Sequence, residues 1–242
     1  MSYQTVFKRY EIKYILTKEQ QKKILKAMEP YMELDAYGRT SIRNLYFDTE
    51  DYQLIRHSIE KPTYKEKLRI RSYCKAGPDT TVFVELKKKY RGVVYKRRLP
   101  LLEKDAVNWI CSENGCKVQS QITEEIDYFL NYYGNLRPTV FLSYDREAFY
   151  SKDGSDFRIT FDEHILCRQS NLSLQSDIGG NLILAEGLVL MEIKCSGGIP
   201  LWMTEILSRN QIYKTSFSKY GTAYQTLIYP EFKEAFTYGS II

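Results

Sequence analysis

The chain has 242 residues with 35 Lys or Arg and 30 Asp or Glu, which gives a formal net charge of +5. Hydrophobic residues make up 43% of it, including 21 Tyr and 11 Phe, and this content excludes a disordered chain and supplies a sizeable core. Because the net charge is modest, a strongly basic surface can arise only where the chain segregates its charges. We expect a single domain over residues 1–242, without a linker.

The five cysteines form no Cys-x-x-Cys pair, and the two histidines, His57 and His164, stand in no ligand spacing. These residues therefore indicate neither a zinc site nor Ser-His-Asp or Cys-His catalysis. The first residues lack the apolar segment of a signal peptide, and no window is apolar enough to span a bilayer. The composition predicts a reduced, soluble, cytoplasmic protein without a membrane segment.

The chain opens with a strand pattern followed by helix signals. Phe7 to Leu16 predicts a strand whose charged residues share one face, namely Arg9, Glu11 and Lys13. Thr17 is the expected N-cap of the next helix, with Gln20 in the capping-box position. A second strand is predicted from Ser41 to Phe47, and a short helix opens at Asp48.

Three successive strand-like segments then carry charged faces that are mainly basic. A strand turns alternate side chains to the same face, and the cations of Tyr64 to Arg71 occupy alternate positions. The charged positions of the three segments are Lys65, Lys67, Arg69, Arg71, Glu85, Lys87, Lys89, Lys96 and Arg98. A solvated face explains one such strand, but like charges on neighbouring strands repel and need a counter-charge. Repetition over three strands favours a bound polyanion.

The second half contributes further helices and strands. Leu102 to Cys111 and Ile122 to Tyr133 predict helices, and residues 168–187 predict a loop. The remaining predicted strands are Thr139 to Tyr150 with Arg146, Phe157 to Asp162 with Arg158, and Leu188 to Cys195 with Glu192 and Lys194; the last predicted helices are Pro200 to Leu207 and Lys219 to Ile228.

About eight strands, each with one charged and one apolar face, predict an α+β fold in which helices pack outside a closed, eight-stranded antiparallel β tunnel. The lumen would be basic and should bind anions, because buried charges need partners. The lumen carboxylates Glu11, Glu85 and Glu192 are hard oxygen ligands suited to Mg²⁺ or Mn²⁺ beside phosphate oxygens, with Glu192 favoured. A salt bridge to a neighbouring Lys or Arg remains an equal alternative for each of them.

The order of several short motifs carries a resemblance to a known family. The motifs are Arg9-x-Glu11-x-Lys13, Arg69-x-Arg71, Glu85-x-Lys87, Arg146, Arg158, Glu192-x-Lys194 and Ser218-Lys219-Tyr220. Together they resemble the catalytic domain of the vacuolar transporter chaperone (VTC) polyphosphate polymerases, which belong to the triphosphate tunnel metalloenzymes, also called the CYTH superfamily. The resemblance extends from about residue 5 to residue 230.

This resemblance implies a tunnel that binds ATP through its phosphates with Mn²⁺ or Mg²⁺ and transfers the γ-phosphoryl group to polyphosphate or pyrophosphate. The cations implied in catalysis are Lys13, Arg69, Arg71, Lys87, Lys96, Arg146 and Arg158. Further phosphate-binding cations are expected at Arg9, Lys67, Arg98, Lys194 and Lys219, and the metal ligands at Glu192 and Glu11. Nucleic acid is not an expected partner, because a tunnel wide enough only for a phosphate chain excludes duplex DNA.

One departure from the superfamily pattern bears on the reaction. The usual opening motif is Glu-x-Glu-x-Lys, and this chain has Arg9 in place of the first Glu. A triphosphatase must activate water, whereas a polymerase uses a phosphate oxygen that is already anionic. The loss of a carboxylate therefore favours transfer over hydrolysis. A tunnel triphosphatase, a nucleotidyl cyclase and a non-catalytic module that binds polyphosphate or nucleic acid remain as alternatives.

Overall fold

The structure, a computed structural model, describes residues 10–91, 93–112 and 115–230. Its strands are β1 (Tyr10–Thr17), β2 (Met32–Leu34), β3 (Thr40–Asp48), β4 (Tyr64–Ser72), β5 (Thr81–Tyr90), β6 (Val93–Leu102), β7 (Arg137–Ser151), β8 (Arg158–Arg168), β9 (Asn181–Leu182), β10 (Leu188–Cys195) and β11 (Lys214–Thr215). Its helices are α1 (Lys18–Met28), α2 (Gln53–Ile59), α3 (Glu103–Cys111), α4 (Gln121–Tyr133), α5 (Leu201–Arg209) and α6 (Lys219–Ala223), and a π-helical turn, Tyr224–Ile228, follows α6.

All eleven strands of the described residues form one antiparallel sheet in the order β11-β1-β10-β8-β7-β3-β4-β5-β6, with β2 on β7 and β9 on β8. Eight of the strands are long, which matches the predicted number. The predicted closure of an eight-stranded barrel by hydrogen bonds is not found in this part of the chain. The strand order ends at β6 on one side and, on the other, at the short strand β11, which pairs with β1 at Lys13 and Tyr14. A side-chain ion pair joins strands near the two ends of the strand order instead: Lys87 Nζ on β5 lies 3.2 Å from Glu11 Oε2 on β1.

Helices cover the outer, apolar faces of the strands on two sides. One cluster packs Val84 and Leu86 of β5 against Trp109 of α3 and Phe129 of α4. A second cluster packs the outer faces of β1, β8 and β10 against Ile24 of α1 and the buried residues of α5. The predicted placement of helices outside the sheet is confirmed for these four helices.

The helix α6 departs from that expectation because it packs on the concave face. Ile42, Leu142 and Leu190 lie on the same face as the charged residues and would otherwise be exposed in the lumen. Tyr220 of α6 packs with them, and its ring stacks on Tyr46 at 4.7 Å between centroids. The end of the lumen that α6 occupies is therefore apolar and filled with side chains, whereas the rest of the lumen is charged.

Local signals predicted several element ends correctly. The capping box is present, with Gln20 N donating to Thr17 Oγ1 at 3.2 Å and Thr17 N donating to Gln20 Oε1 at 3.0 Å. The helix α4 ends at Gly134, which has the positive φ of +58° that favours glycine. The first predicted strand is present from Tyr10 to Thr17, and its predicted residues 7–9 lie outside the described residues. Within residues 10–91, 93–112 and 115–230, no helix has both the length and the apolar character needed to cross a membrane.

Candidate functional site

The register of the sheet places the predicted cations in rows across the concave face. Residues directly opposite each other in an antiparallel ladder project to the same side. One row runs Tyr46, Arg69, Glu85, Arg98 across β3 to β6. Another pairs Lys13 with Glu192, and a third pairs Glu11 with Lys194, which faces Arg158. The alternation read from the sequence therefore brings most of the predicted residues onto a single surface.

Glu85 is the centre of the first charge cluster. Its buried carboxylate accepts hydrogen bonds from Arg69 Nε and Nη2 at 2.9 and 2.7 Å, and Lys96 Nζ lies 2.6 Å from its other oxygen. Arg98 and Arg71 complete the surroundings at 3.5 and 3.9 Å. Although burial works to raise it, Arg71, Arg69 and Lys96 hold the pKa of the Glu85 carboxyl well below its usual range. One carboxylate thus orients four cations without neutralising them.

Glu192 is the centre of the second charge cluster, together with Asp162. Lys219 Nζ lies 3.1 Å from Glu192 Oε1 and 2.5 Å from Asp162 Oδ2, so that it joins the two carboxylates. Arg146 forms a bidentate pair with Asp162 at 2.6 and 2.7 Å. The other neighbours of Glu192 are Lys194 at 3.0 Å, Lys13 at 3.3 Å and Arg146 at 3.5 Å. Despite burial, Lys219, Lys13 and Lys194 hold the pKa of Glu192 well below its usual range.

Neutral polar side chains connect the two clusters. Tyr144 accepts a hydrogen bond on its hydroxyl from Arg71 Nη2 at 3.1 Å, while Lys219 Nζ lies over its ring at 4.6 Å from the centroid. Tyr46 accepts from Arg69 Nη1 at 2.9 Å, and Asn44 Oδ1 accepts from Arg71 Nε at 3.0 Å. The guanidinium groups are therefore held in fixed orientations before any ligand binds.

Sequence reasoning missed Asp162, Tyr46, Asn44 and Tyr144 as members of the site. The signal for Asp162 was present, because it alternates with Arg158 and Thr160 and so shares their face. The neutral residues carried no such signal, since tyrosine in strands is most often packing material.

Two lysines of the lumen are poorly neutralised. Burial and the neighbouring Lys87 and Lys65 lower the pKa of Lys67 to about 7. Burial, together with Arg71 and Arg69, lowers the pKa of Lys96 to about 7 against the opposing attraction of Glu85. Lys67 Nζ donates to Ser218 Oγ at 3.0 Å, which offers a dipole and no charge. Both ammonium groups would be stabilised by an anion.

One predicted cation of the described residues, Arg158, lies apart from the two charge clusters. Arg158 lies in the row of Lys194 and Glu11, but its guanidinium stacks on Tyr150, 4.0 Å from the ring centroid. Arg9 lies outside the described residues, and its role stays a prediction. The other predicted site residues that the structure describes also face the lumen. Among the described residues, the clusters and rows of the lumen contain eleven cationic side chains and four carboxylates; these are Lys13, Lys67, Arg69, Arg71, Lys87, Lys96, Arg98, Arg146, Arg158, Lys194 and Lys219, with Glu11, Glu85, Asp162 and Glu192.

Glu192 and Glu11 are neighbouring carboxylates that could contribute oxygens to a divalent cation on phosphate, and in the structure both form ion pairs with lysines. Lys13 Nζ lies 3.3 Å from an oxygen of each carboxylate, so the two are close neighbours and both are ionised. Thr160 faces Glu192 across the ladder, and its buried hydroxyl has no hydrogen-bond partner among the described residues. No group of three or more His, Cys, Asp or Glu able to hold a metal occurs in this part of the chain. An ion here would need ligand oxygens as well, as is usual for Mg²⁺ on phosphates.

Three solved structures have a similar chain course. A protein from Bacillus halodurans, provisionally described as an adenylate cyclase, aligns with a TM-score of 0.56 and 17% identity over 89% of this chain and 96% of its own. A Hippeastrum protein, provisionally described as an adenylyl cyclase and reported to have a dominant triphosphatase activity, aligns with a TM-score of 0.48 and 14% identity over 91% and 96%. A Vibrio parahaemolyticus protein, also provisionally described as an adenylate cyclase, aligns with a TM-score of 0.46 and 11% identity over 89% and 97%. At such low identity the Bacillus protein supports the fold alone.

The family comparison covers almost the whole chain. No curated protein matches the sequence at a significant level. The family model described as the VTC domain matches residues 8–228, which include both charge clusters and every described strand. The resemblance inferred from the motifs is thereby confirmed, and the chain belongs to the VTC domain family.

Proposed function

We propose that this protein is a metal-dependent polyphosphate polymerase, which transfers the γ-phosphoryl group of ATP to a phosphate chain in its basic lumen. The observation that carries the proposal is that each lumen carboxylate of the described residues has a lysine or arginine nitrogen within 3.2 Å of one of its oxygens. Cations hold the pKa of Glu11, Glu85, Asp162 and Glu192 below their ordinary values, although burial opposes this in each case. Carboxylates of this kind are weak bases and poor activators of water.

Transfer to a phosphate chain needs no such base. A terminal oxygen of the acceptor, already anionic, attacks the γ-phosphorus, and a new P–O bond forms. The bond between the γ-phosphorus and the β,γ-bridging oxygen breaks, and ADP leaves with its electron pair. The chain is one phosphate longer, and no proton has to be removed from the nucleophile.

The lumen provides what this reaction does need. Arg69, Arg71 and Arg146 are fixed by hydrogen bonds to Glu85, Asn44 and Asp162, so they can hold phosphate oxygens without reorganising during transfer. Lysines on flexible stems, such as Lys87 and Lys194, can follow the charge as it moves to the leaving group. Mn²⁺ or Mg²⁺ at Glu192 and Glu11 would neutralise phosphate charge beside these cations.

Incubation with ATP, Mn²⁺ and a trace of pyrophosphate tests the proposal, with the products resolved by gel and by phosphorus NMR. We expect a ladder of phosphate chains together with ADP. Free phosphate without chains would instead identify a tunnel triphosphatase, cyclic nucleotide would identify a cyclase, and tight anion binding without turnover would identify a binding module.

The variant Glu192→Ala tests the site. We expect it to abolish chain synthesis, because it removes the proposed metal ligand and the group that orients Lys219 and Lys13. Glu186→Gln, an exposed carboxylate outside the clusters, is the matched control and should retain full synthesis. Unchanged synthesis in a folded Glu192→Ala protein would rule out this assignment.

A further inference from the structure

A ladder of lysines leads from the lumen to the protein surface along β4 and β5. The register pairs Lys67 with Lys87 and, one step outward, Lys65 with Lys89. Lys96 of β6 continues the inner row beside Lys87. Exposure rises along the ladder, because Lys67 and Lys65 are half-buried whereas Lys89 and the neighbouring Lys61 are exposed. The ladder is therefore continuous from the interior of the site to the solvent.

Two directly opposed lysine pairs on one face are unfavourable unless an anion lies beside them. Like charges in such positions repel, and native sheets normally interleave opposite signs there. The repulsion is visible at Lys65, whose pKa is lowered by burial and then by Lys89, Lys61 and Lys87. Its ammonium donates to the Ser58 carbonyl oxygen at 3.0 Å, which supplies no charge.

The chain has carboxylates nearby but directs them to the opposite face. Lys88, which alternates with Lys87 and Lys89, lies 3.6 Å from Glu125 and 3.9 Å from Glu66. Arg97 on the same outer face pairs with Glu125 at 3.0 Å. By contrast, no carboxylate of the described residues lies within ion-pair distance of Lys61, Lys65, Lys67 or Lys89. Charge is thus neutralised outside the sheet and at Lys87 and Lys96 in the inner row, which pair with Glu11 and Glu85. At Lys65, Lys67 and Lys89 no such counter-charge lies among the described residues.

We propose that the outer part of this ladder, Lys61, Lys65 and Lys89, is a binding subsite for a linear inorganic phosphate chain that extends out of the lumen along the lumen-side face of β4 and β5. The inference rests on the proposed function, since it assigns an exit path to the chain that the lumen would hold. A linear chain fits because the lysines continue the rows of the lumen at the spacing of the ladder, and because no carboxylate of the described residues forms an ion pair with the outer lysines.

The subsite makes affinity depend on chain length. A short anion such as inorganic triphosphate is held by the inner clusters and does not need the outer lysines. A long chain contacts both, so each additional lysine contact adds affinity and increases the salt dependence.

The double variant Lys65→Gln/Lys89→Gln tests this, with Lys22→Gln/Lys26→Gln on the exposed face of α1 as a control of equal charge loss. Binding of inorganic triphosphate and of long-chain polyphosphate is measured by calorimetry in the presence of a chelator, over a range of salt concentrations. We expect triphosphate affinity to be unchanged, polyphosphate affinity to fall about tenfold, and the salt slope for polyphosphate to fall by about one to two.

Equal losses for both ligands, or no loss for the long chain, would overturn the inference. Displacement of polyphosphate from the wild-type protein by a single-stranded oligonucleotide of similar charge at equal concentration would also overturn it and would assign the ladder to nucleic acid. The test is independent of turnover. A protein that makes no polyphosphate but shows the expected length dependence would refute the proposed function and keep the subsite.

Discussion

At the scale of single residues, Lys67 shows how strongly the cations of the lumen repel one another. It lies in the inner row with Lys87 and Lys96, and its pKa of about 7 reflects burial among like charges. An unfolded lysine has a pKa of about 10.4. Between these two values the unfolded chain binds a proton that the folded chain does not. Burial of charged Lys67 therefore lowers the free energy of unfolding by the full amount when the pH is below its folded-state pKa. The loss becomes progressively smaller as the pH rises above that value.

We expect Lys67→Met to be more thermostable than the wild-type protein at pH 6 and to lose this advantage as the pH rises toward 10. The reason is that the variant removes a charge that folding must bury at the lower pH. Melting temperatures across this range provide the measurement, and Lys22→Met on the surface of α1 is the control. A constant difference at all pH values would show that packing and not ionisation distinguishes the two proteins.

At the scale of elements, a buried network holds α2 and α6 against the sheet. Asp48 at the end of β3 accepts hydrogen bonds from the backbone N–H groups of Leu54 and Ile55 at 2.8 and 3.0 Å and so caps α2. The Tyr220 hydroxyl of α6 donates to the same carboxylate at 2.8 Å and lies 3.0 Å from Thr139 Oγ1. Lys219 is adjacent to Tyr220, so this network also positions a cation of the Glu192 cluster.

We expect Tyr220→Phe to reduce the free energy of unfolding by about 1–3 kcal/mol, because a buried carboxylate loses a hydrogen bond. It should also weaken triphosphate binding through displacement of Lys219. Urea denaturation and calorimetry measure the two effects. Tyr213→Phe, at a tyrosine that is 77% exposed, should change neither quantity. Equal stability of Tyr220→Phe and wild type would mean that the network contributes nothing to holding α6.

Local patterns predicted the long elements well because their signals are contained within each segment. Alternation placed Lys13, Arg69 and Glu192 on one face, and a capping box located the start of α1. The strands β2 and β11 were missed because they have only three and two residues and exist through pairing with β7 and β1. The inward position of α6 was also missed, because amphipathic periodicity does not show on which side of a sheet a helix packs.

At the scale of the whole molecule, the two ends of the strand order approach each other through side chains, and the described residues form no backbone ladder between them. Lys87 and Glu11 provide the described contact between β5 and β1. The strand β6, on the outer edge, carries Lys96 and Arg98 into the lumen, and β1 carries Lys13. An anion in the lumen can therefore contact β1 and β6 at the same time.

We expect amide hydrogen exchange to be faster in β6 than in β4, whose backbone is paired on both sides. Saturating inorganic triphosphate should slow amide exchange most in β1 and β6, because the ligand would contact both strands, which are not hydrogen-bonded neighbours in the described sheet. Mass spectrometry of peptides from both strands and from central β7 gives the comparison. A uniform increase of protection, equal in β7 and the edges, would contradict this account of the sheet.

The excess of lumen cations makes the choice of buffer an experimental variable for this protein. Any multivalent anion that enters the lumen binds the folded state only, and so raises the apparent melting temperature by mass action. Phosphate buffer would then act as stabiliser and competitor at once, raising thermal stability while lowering the measured affinity for triphosphate. Weakly binding monovalent salts would mainly screen the repulsion. Thermal shift in a neutral zwitterionic buffer, titrated with phosphates of increasing length, would therefore report directly on which anions the lumen accepts.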